Sequence, residues 1–403
     1  MAHPHKTTCC IVGGGPAGMV LGFLLARRGV AVTVLEKHKD FFRDFRGDTI
    51  HASTLELMYE LGLLDTFLKV RHQKLTTLTA QFGDFSFAPV DFTHLPTHCK
   101  FVALMPQWDF LNFIAENAKQ LSAFDLRMEN EAVGLVEQNG RVTGVRVQTP
   151  DGITEIEADL VIACDGRHST LRTAAHMEVL EFGVPIDVLW FRISRQPDDP
   201  ENILGHVNYG KAMVMINRGD YFQTGLIIRK GSLEEIQQKG LSAFRESLLQ
   251  LSPFLGERVN EIQSWDQVKL LSVQINRLRR WHRPGLLCIG DAVHAMSPAG
   301  GVGINLAIQD AVAAANLLGE PLRGGRLSEG VLEAIQQRRE FPTRIMQGLQ
   351  VRIHAAFARI LGNPEPVHAP WLMRFITRLP GFKRLTGRII GLGFRPEHVK
   401  ART

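Results

Sequence analysis

The chain lacks most features that would take it out of a reducing, aqueous compartment. Its 403 residues hold five cysteines, Cys9, Cys10, Cys99, Cys164 and Cys288, with no Cys-x-x-Cys pair, so neither a disulfide framework nor a dithiol relay is expected. Four of them sit in runs that read as buried strands, as reduced core thiols of a cytoplasmic protein would. No apolar run of membrane length goes unbroken. The uncharged stretch Thr7–Ala26 is interrupted by three consecutive glycines and a proline, which marks a buried βα unit rather than a signal or a spanning helix. There is no internal repeat, no low-complexity segment and no metal-ligand spacing of His, Cys and Asp, so no metal is expected. Excess charge is scarce until the end of the chain: residues 351–403 carry ten Lys/Arg against two Glu, whereas the residues before them carry 36 basic against 39 acidic. Nucleic acid is therefore not an expected partner, and the basic tail reads either as a solvated face over an acidic body or as a contact for an acidic surface.

What is present begins with enough chain, 45% of it hydrophobic and 22% charged, for two domains with their own cores. Thr7–Val12 reads as a strand, Gly13-Gly-Gly-Pro-Ala-Gly18 as a turn, Met19–Arg28 as a helix and Ala31–Leu35 as a second strand ending in Glu36. The spacing has a chemical reason. Gly13 permits the tight turn, Gly15 lets backbone N–H groups approach a pyrophosphate, and Gly18 lets the helix lie on the strand. Pro16 and Ala17 open that helix, whose N-terminus faces the phosphate charge. Glu36 stands where a carboxylate accepts hydrogen bonds from an adenosine ribose, with Lys37 beside it.

Two further blocks narrow the ligand. From Val133 the chain reads as a strand, the Asn139-Gly140 hairpin, a strand Val142–Thr149, the Pro150-Asp-Gly152 turn and a strand that re-enters a parallel sheet at Leu160–Ala163, ending in Asp165-Gly166. This three-stranded meander replaces the helical crossover of a nicotinamide-only domain. The third block is a buried strand ending in Gly290-Asp291, then Pro298-Ala-Gly-Gly-Val-Gly-Ile-Asn305 leading into a helix with Gln309 and Asp310. A helix N-terminus there stabilises negative charge on a reduced flavin.

Taken together, Gly13–Gly18, Cys164-Asp-Gly-Arg-His-Ser169 and Gly290-Asp-Ala-Val-His294 with Pro298–Asn305 resemble the three fingerprints of the single-component flavoprotein aromatic hydroxylases, the p-hydroxybenzoate hydroxylase and ubiquinone-biosynthesis hydroxylase class. The resemblance covers nearly the whole chain. It implies an α/β fold: a Rossmann-like FAD domain with the meander crossover (1–75, 103–180 and 280–345), an α+β substrate domain with an antiparallel sheet (76–102 and 181–279), and a basic helical C-terminal segment (346–403). It implies FAD as cofactor and NAD(P)H as a transient electron donor. By the same resemblance Glu36 would hold the ribose, Arg46 and Gln107 the phosphates and ribityl chain, Val133 adenine through its backbone, Asp165 the pyrophosphate side and Asp291 the ribityl chain. The backbone at Gly301, Gly303, Ile304 and Asn305 would face the flavin. Arg46 also reads as a surface arginine before a helix starting at Ser53, and Gln107 as a helix cap.

No second Gly-x-Gly-x-x-Gly serves a nicotinamide domain, and no Trp-x-Trp-x-Ile-Pro stretch marks a flavin halogenase. The expectation is a monooxygenase that hydroxylates an aromatic or polycyclic small molecule with dioxygen through a flavin C4a-hydroperoxide; an FAD-dependent reductase or dehydrogenase on the same scaffold is the alternative. Residues 81–105 and 181–229 alternate as strands do and offer an aromatic and methionine-rich face, with Trp190, Met213, Met215, Tyr221 and Phe222 as pocket candidates. His51, Arg192 and Gln223 are the polar candidates for a catalytic part, and His51 reads equally as a hydrogen-bonded core histidine. In the tail, apolar Leu372, Met373, Phe375, Ile376 and Leu379 interleave with Arg374, Arg378, Lys383, Arg384 and Arg388. That pattern fits weak peripheral membrane contact or a helical hairpin packed on the FAD domain, the latter being preferred because Pro380-Gly381 breaks it in two.

Overall fold

The computed structural model describes residues 5–42, 49–200, 203–363, 365–379 and 381–400. Its first layer is a parallel sheet in the spatial order Leu286–Cys288, Gly152–Ala163, His5–Val12, Val32–Leu35, Phe124–Arg127. These strands read as continuous apolar runs because both faces are covered. Pro16–Arg27 and the 22-residue helix Val302–Arg323 pack against each other with their buried faces in this core. The meander is as the sequence indicates. Glu131–Gln138, Arg141–Thr149 and Gly152–Ala163 run antiparallel, and Asn139 (φ +51) and Gly140 (φ +74) take the two left-handed positions of their hairpin. The 12-residue strand Gly152–Ala163 then pairs parallel to His5–Val12 from Ile156 to Ala163, so the meander and the parallel strands form one sheet.

The second layer is a seven-stranded sheet in the order Lys269–Ser272, Ile186–Ser194, Tyr221–Arg229, Lys211–Asn217, Ile203–Asn208, Thr77–Phe82, Phe85–Asp91, antiparallel except where Ile203–Asn208 meets Thr77–Phe82. Strand alternation divides its side chains sharply. Leu189, Phe191, Ile193, Met213, Met215, Phe222 and Leu226 point one way, into a core closed by Phe244, Leu248 and Leu251 of helix Gly240–Leu251. Ile186, Val188 and Trp190 point the other way, where Val351 of the 32-residue helix Glu329–Ile360 and Leu361 after it meet them.

The C-terminal segment takes a broader seat than the FAD domain alone. Helices Trp371–Arg378 and Phe382–Leu392 form the hairpin, and it packs on the edge strand Phe85–Asp91 of the antiparallel sheet, where Gly387 comes so close that a Cβ would lie 2.2 Å from the Asp91 carbonyl oxygen. An edge strand exposes unpaired backbone groups, and covering it removes that liability. The hairpin and the last stretch also reach the nucleotide side: Ile390 accepts from His51, Ile389 packs by Val302, His398 and Lys400 bond Asn316 of helix Val302–Arg323, and the Val399 N–H donates to Glu60. The stretch Ala299–Arg323 is long and apolar enough to cross a membrane, but 67% of its apolar 18-residue window is buried here, as a core helix is.

Candidate functional site

The three motifs converge at the carboxyl ends of the parallel strands. Backbone bonds tie them in series: Gly13 N–H to Leu35, Cys164 N–H to Val12 and Ile289 N–H to Ala163. Gly13 (φ +107) lies so close to the second motif that a Cβ would stand 2.3 Å from the Cys164 carbonyl oxygen. Gly290 (φ +61) sits where a Cβ would meet Ala17 and Ala307 at 3.1 and 3.2 Å, which locks the first and third motifs together. Arg167 of the second motif pairs with Asp291 of the third at 3.2 Å.

Between these fixed points the structure leaves what a dinucleotide needs. A Cβ on Gly15 would meet nothing within 4 Å. Pro16–Arg27 has no side-chain cap and no acid in its first turn, and the same is true of Val302–Arg323, which starts behind Gly301 (φ +63). Two helix N-termini thus keep first-turn N–H groups without intrahelical acceptors, with positive potential and no carboxylate of their own to quench it. Glu36 is buried; its Oε2 accepts from Gly14 N–H at 3.0 Å and its Oε1 from His38 N–H at 3.1 Å, which holds the carboxylate over the glycine turn. Asp165 Oδ2 accepts from Leu171 N–H at 3.2 Å, while its Oδ1 is out of solvent without a partner. Burial pushes the Asp165 carboxyl above the ordinary range. An orphaned buried oxygen, an open glycine and two uncapped helices fit a bound FAD.

Not every expected residue joins. Lys37 turns out to solvent and pairs loosely with Glu131 at 3.7 Å. Val133 lies half-open on Glu131–Gln138, and Gln107 is the first residue of helix Gln107–Ala118 behind Pro106. Arg46 lies outside the described residues. Asn305 has its side chain fully committed: Oδ1 accepts from His51 N–H at 2.9 Å and Thr54 Oγ1 at 2.7 Å, and Nδ2 donates to Thr49 at 3.1 Å and Gly301 at 3.4 Å. It clips the segment from Thr49 to the flavin-side helix and leaves only its backbone for a ligand. His51 is buried with Nδ1 donating to the Ile390 carbonyl at 2.7 Å, and desolvation lowers its pKa to about 4. A neutral, anchored imidazole is what the geometry provides.

The substrate candidates divide by parity. Met213, Met215 and Phe222 face helix Gly240–Leu251, because odd positions on Lys211–Asn217 and even positions on Tyr221–Arg229 turn that way. Trp190, Arg192, Tyr221 and Gln223 share the opposite face. Arg192 is registered opposite Gln223 and lies over the Tyr221 ring at 5.0 Å, Gln223 accepts from Arg218 at 3.1 and 3.2 Å, and Trp190 lies across Gly225 with its indole N–H buried and unpartnered.

Sequence reasoning missed two supports of the site. Along one face of Glu329–Ile360, Gln347 donates to Asn276 and Ala295, Gln350 spans Ser297 and Ala299, and His354 Nε2 meets Ser297 Oγ at 2.9 Å. This ladder grips residues 295–299 immediately before the glycine loop. The helical spacing 347, 350, 354 of polar residues was its one signal. The second support is a buried charge chain. Asp310 accepts from Gly290 N–H at 3.1 Å and from His294 Nε2 at 2.5 Å through Oδ2, and from Arg339 Nε at 2.9 Å through Oδ1. Arg339 then meets Glu397 at 3.5 Å, and Arg338 grips Glu397 at 2.8 Å. Burial alone would raise the Asp310 pKa; His294 and Arg339 reverse that and hold it below the ordinary range. The last carboxylate of the chain thus braces the Gly290-Asp291 turn from about a hundred residues away.

A doubly covered parallel sheet with a meander crossover, an antiparallel sheet beside it and two uncapped helices at the strand ends define an FAD-dependent monooxygenase. The chain belongs to the family described as FAD binding domain, which matches residues 6–348. It is 30% identical over 397 residues to the 6-methylpretetramide 4-monooxygenase of Streptomyces rimosus, spanning 95% of this chain and 92% of that one. Solved structures with the same fold include the anhydrotetracycline hydroxylase OxyS of Streptomyces rimosus (TM-score 0.74, 22% identity, 97% of this chain and 77% of that). The Diels-Alderase PyrE3 of pyrroindomycin biosynthesis matches equally well (TM-score 0.74, 22% identity, 96% and 80%). One fold therefore carries more than one chemistry.

Proposed function

We propose that the protein uses NAD(P)H and dioxygen to hydroxylate an aromatic or polycyclic small molecule in the cytoplasm. The observation that carries this reading is the pair of uncapped helix N-termini joined by three interlocked glycine motifs, in a chain 30% identical over 95% of its length to a 6-methylpretetramide 4-monooxygenase. The five free thiols suit a reducing compartment.

FAD, when bound and reduced, supplies the activation of dioxygen and delivery of one oxygen atom. The protein's part is to bind, orient and exclude water. Glu36 would receive the adenosine ribose, and the Gly13–Gly18 backbone with the first turn of Pro16–Arg27 the pyrophosphate. Val133 would serve adenine, Gln107 and Asp291 the ribityl chain, and Asp165 the pyrophosphate side. The N–H groups of Val302, Gly303 and Ile304 would stabilise negative charge on the ring. Trp190, Arg192, Tyr221 and Gln223 present an aromatic wall with two polar heads, which suits a planar oxygenated substrate. His51, kept neutral and tied to Ile390, positions the Thr49–Thr54 segment rather than moving a proton.

The test is oxygen uptake coupled to NAD(P)H oxidation by the FAD-loaded protein, with a panel of phenols and polycyclic phenols. Stimulated uptake and a product heavier by one oxygen atom support hydroxylation. Ligand-dependent NAD(P)H oxidation without oxygen incorporation sinks it in favour of a reductase.

A further inference from the structure

Five large apolar side chains open to solvent lie within the short stretch from 371 to 385: Trp371 (77% exposed), Leu372, Phe375, Leu379 and Leu385. The first four fall on one side of helix Trp371–Arg378, and Leu385 follows at the start of Phe382–Leu392. The opposite side of the hairpin is occupied, with Gly387 and Gly391 against Asp91, Leu95 and Phe92.

The cations of the hairpin divide in the same way. Arg374 donates to both carboxylate oxygens of Asp84 at 2.8 Å and Lys383 lies 3.6 Å from Asp91, which anchors the hairpin to the sheet edge. Arg378, Arg384 and Arg388 are exposed and make no ion pair among the described residues. They border the apolar face on a tail with ten Lys/Arg against two Glu. A second copy of the chain is a poor cover for this surface, since a two-fold contact through it would press the two arginine rims together. A bilayer with anionic headgroups satisfies both parts, the aromatic and aliphatic side chains entering the interface and the guanidinium groups meeting lipid phosphates.

We propose that the hairpin Trp371–Leu392 is a monotopic docking site for an anionic membrane surface. Docking there sets the edge of the antiparallel sheet, Phe85–Asp91, beside the lipid, so an apolar polycyclic substrate partitioned into the bilayer is met where it concentrates. This substrate route rests on the hydroxylase reading; the membrane contact does not.

Flotation of the FAD-loaded protein with vesicles of phosphatidylcholine, alone or mixed with phosphatidylglycerol, tests it. The protein floats with the mixed vesicles at low salt, and raising the salt weakens this. The double variant Trp371→Glu/Phe375→Glu and the triple variant Arg378→Gln/Arg384→Gln/Arg388→Gln each lower partitioning at least about tenfold. Both keep the FAD absorbance and denaturation midpoint of the parent. Failure of the parent to float with anionic vesicles at low salt overturns the proposal. So does a dimer by light scattering that the double variant splits while flotation is unchanged.

Discussion

The parallel and the antiparallel sheet are fixed by different forces. At the carboxyl ends of the parallel strands, glycines allow close approach: Gly13 to the Cys164 backbone and Gly290 to the methyl groups of Ala17 and Ala307, with a buried chain from Gly290 through Asp310 and Arg339 to Glu397 behind them. The antiparallel sheet is held by side chains on two faces, one sealed against helix Gly240–Leu251 and one meeting the long helix. The first arrangement tolerates almost no change of residue at its contacts, whereas the second rests on side-chain packing against two separate buried clusters. The nucleotide side is therefore built as a fixed mount.

The largest test breaks the mount. Arg339→Met removes the cation between two buried carboxylates and leaves Asp310 to His294 and Glu397 to Arg338 alone. The expected loss is about 3–5 kcal/mol, read as a lower midpoint in chemical denaturation. If the variant matches the parent, the charge chain is not what braces the Gly290 turn. On the other sheet, Met213→Ala opens a cavity against Phe244 and Leu248 and costs about 2–5 kcal/mol. KM for the substrate stays where it was, whereas Tyr221→Ala on the pocket face shifts KM at little cost in stability. Reversal of those two readouts would exchange the faces.

Acid sharpens the contrast because two of its targets, His51 and His354, each lowered by burial to a pKa of about 4, support the nucleotide side. His51 has a pKa of about 4 in the fold against about 6.5 in an unfolded chain, so it is neutral in the native state where the unfolded state takes up a proton. Its stabilising contribution is complete above about pH 6.5 and is lost as pH falls towards 4, about 2 kcal/mol at pH 5. Asp310, whose pKa is held low, loses its contribution in the same direction as pH falls through its folded value. Denaturation midpoints at pH 7 and pH 5 should thus differ, and His51→Gln should flatten the difference. A smaller effect separates the glycines: Gly15→Ala, at φ −74 with open space ahead, keeps the apoprotein's stability but weakens FAD binding at least about tenfold, near 1.4 kcal/mol. Gly13→Ala meets Cys164 and destabilises the fold itself.

This difference between sheets also governs what could be read from the chain. Each glycine of the motifs answers a local steric demand, and Asn139-Gly140 states its own turn, so the nucleotide side was legible residue by residue. Alternation in Lys211–Asn217 and Tyr221–Arg229 announces strands but does not say which parity meets the ligand. Tyr221 and Phe222 were accordingly expected together although no strand can place neighbours on one face. Glu397 and the ladder of Gln347, Gln350 and His354 act on residues far away in the chain, and local patterns carry no address for such partners. The tail's two short helices were legible from Pro380-Gly381. Their seat on Phe85–Asp91 was not, since it depends on which sheet edge is left open.

The smallest predicted effect separates two adjacent residues at the end of Val32–Leu35. Glu36 points in, over the glycine turn, while Lys37 points out to Glu131 at 3.7 Å with more than half its side chain in solvent. An exposed pair of that length is worth at most about 1 kcal/mol and is weakened by salt. Lys37→Ala should therefore change the denaturation midpoint within error and leave FAD affinity as it is. Glu36→Gln, which keeps size but removes the charge that accepts from Gly14 and His38, should weaken FAD several-fold. If Lys37→Ala weakened FAD as much as Glu36→Gln does, the strand would have to end one residue later than drawn and the ribose would meet the other side chain. Titration of the two variants by FAD fluorescence quenching decides between them.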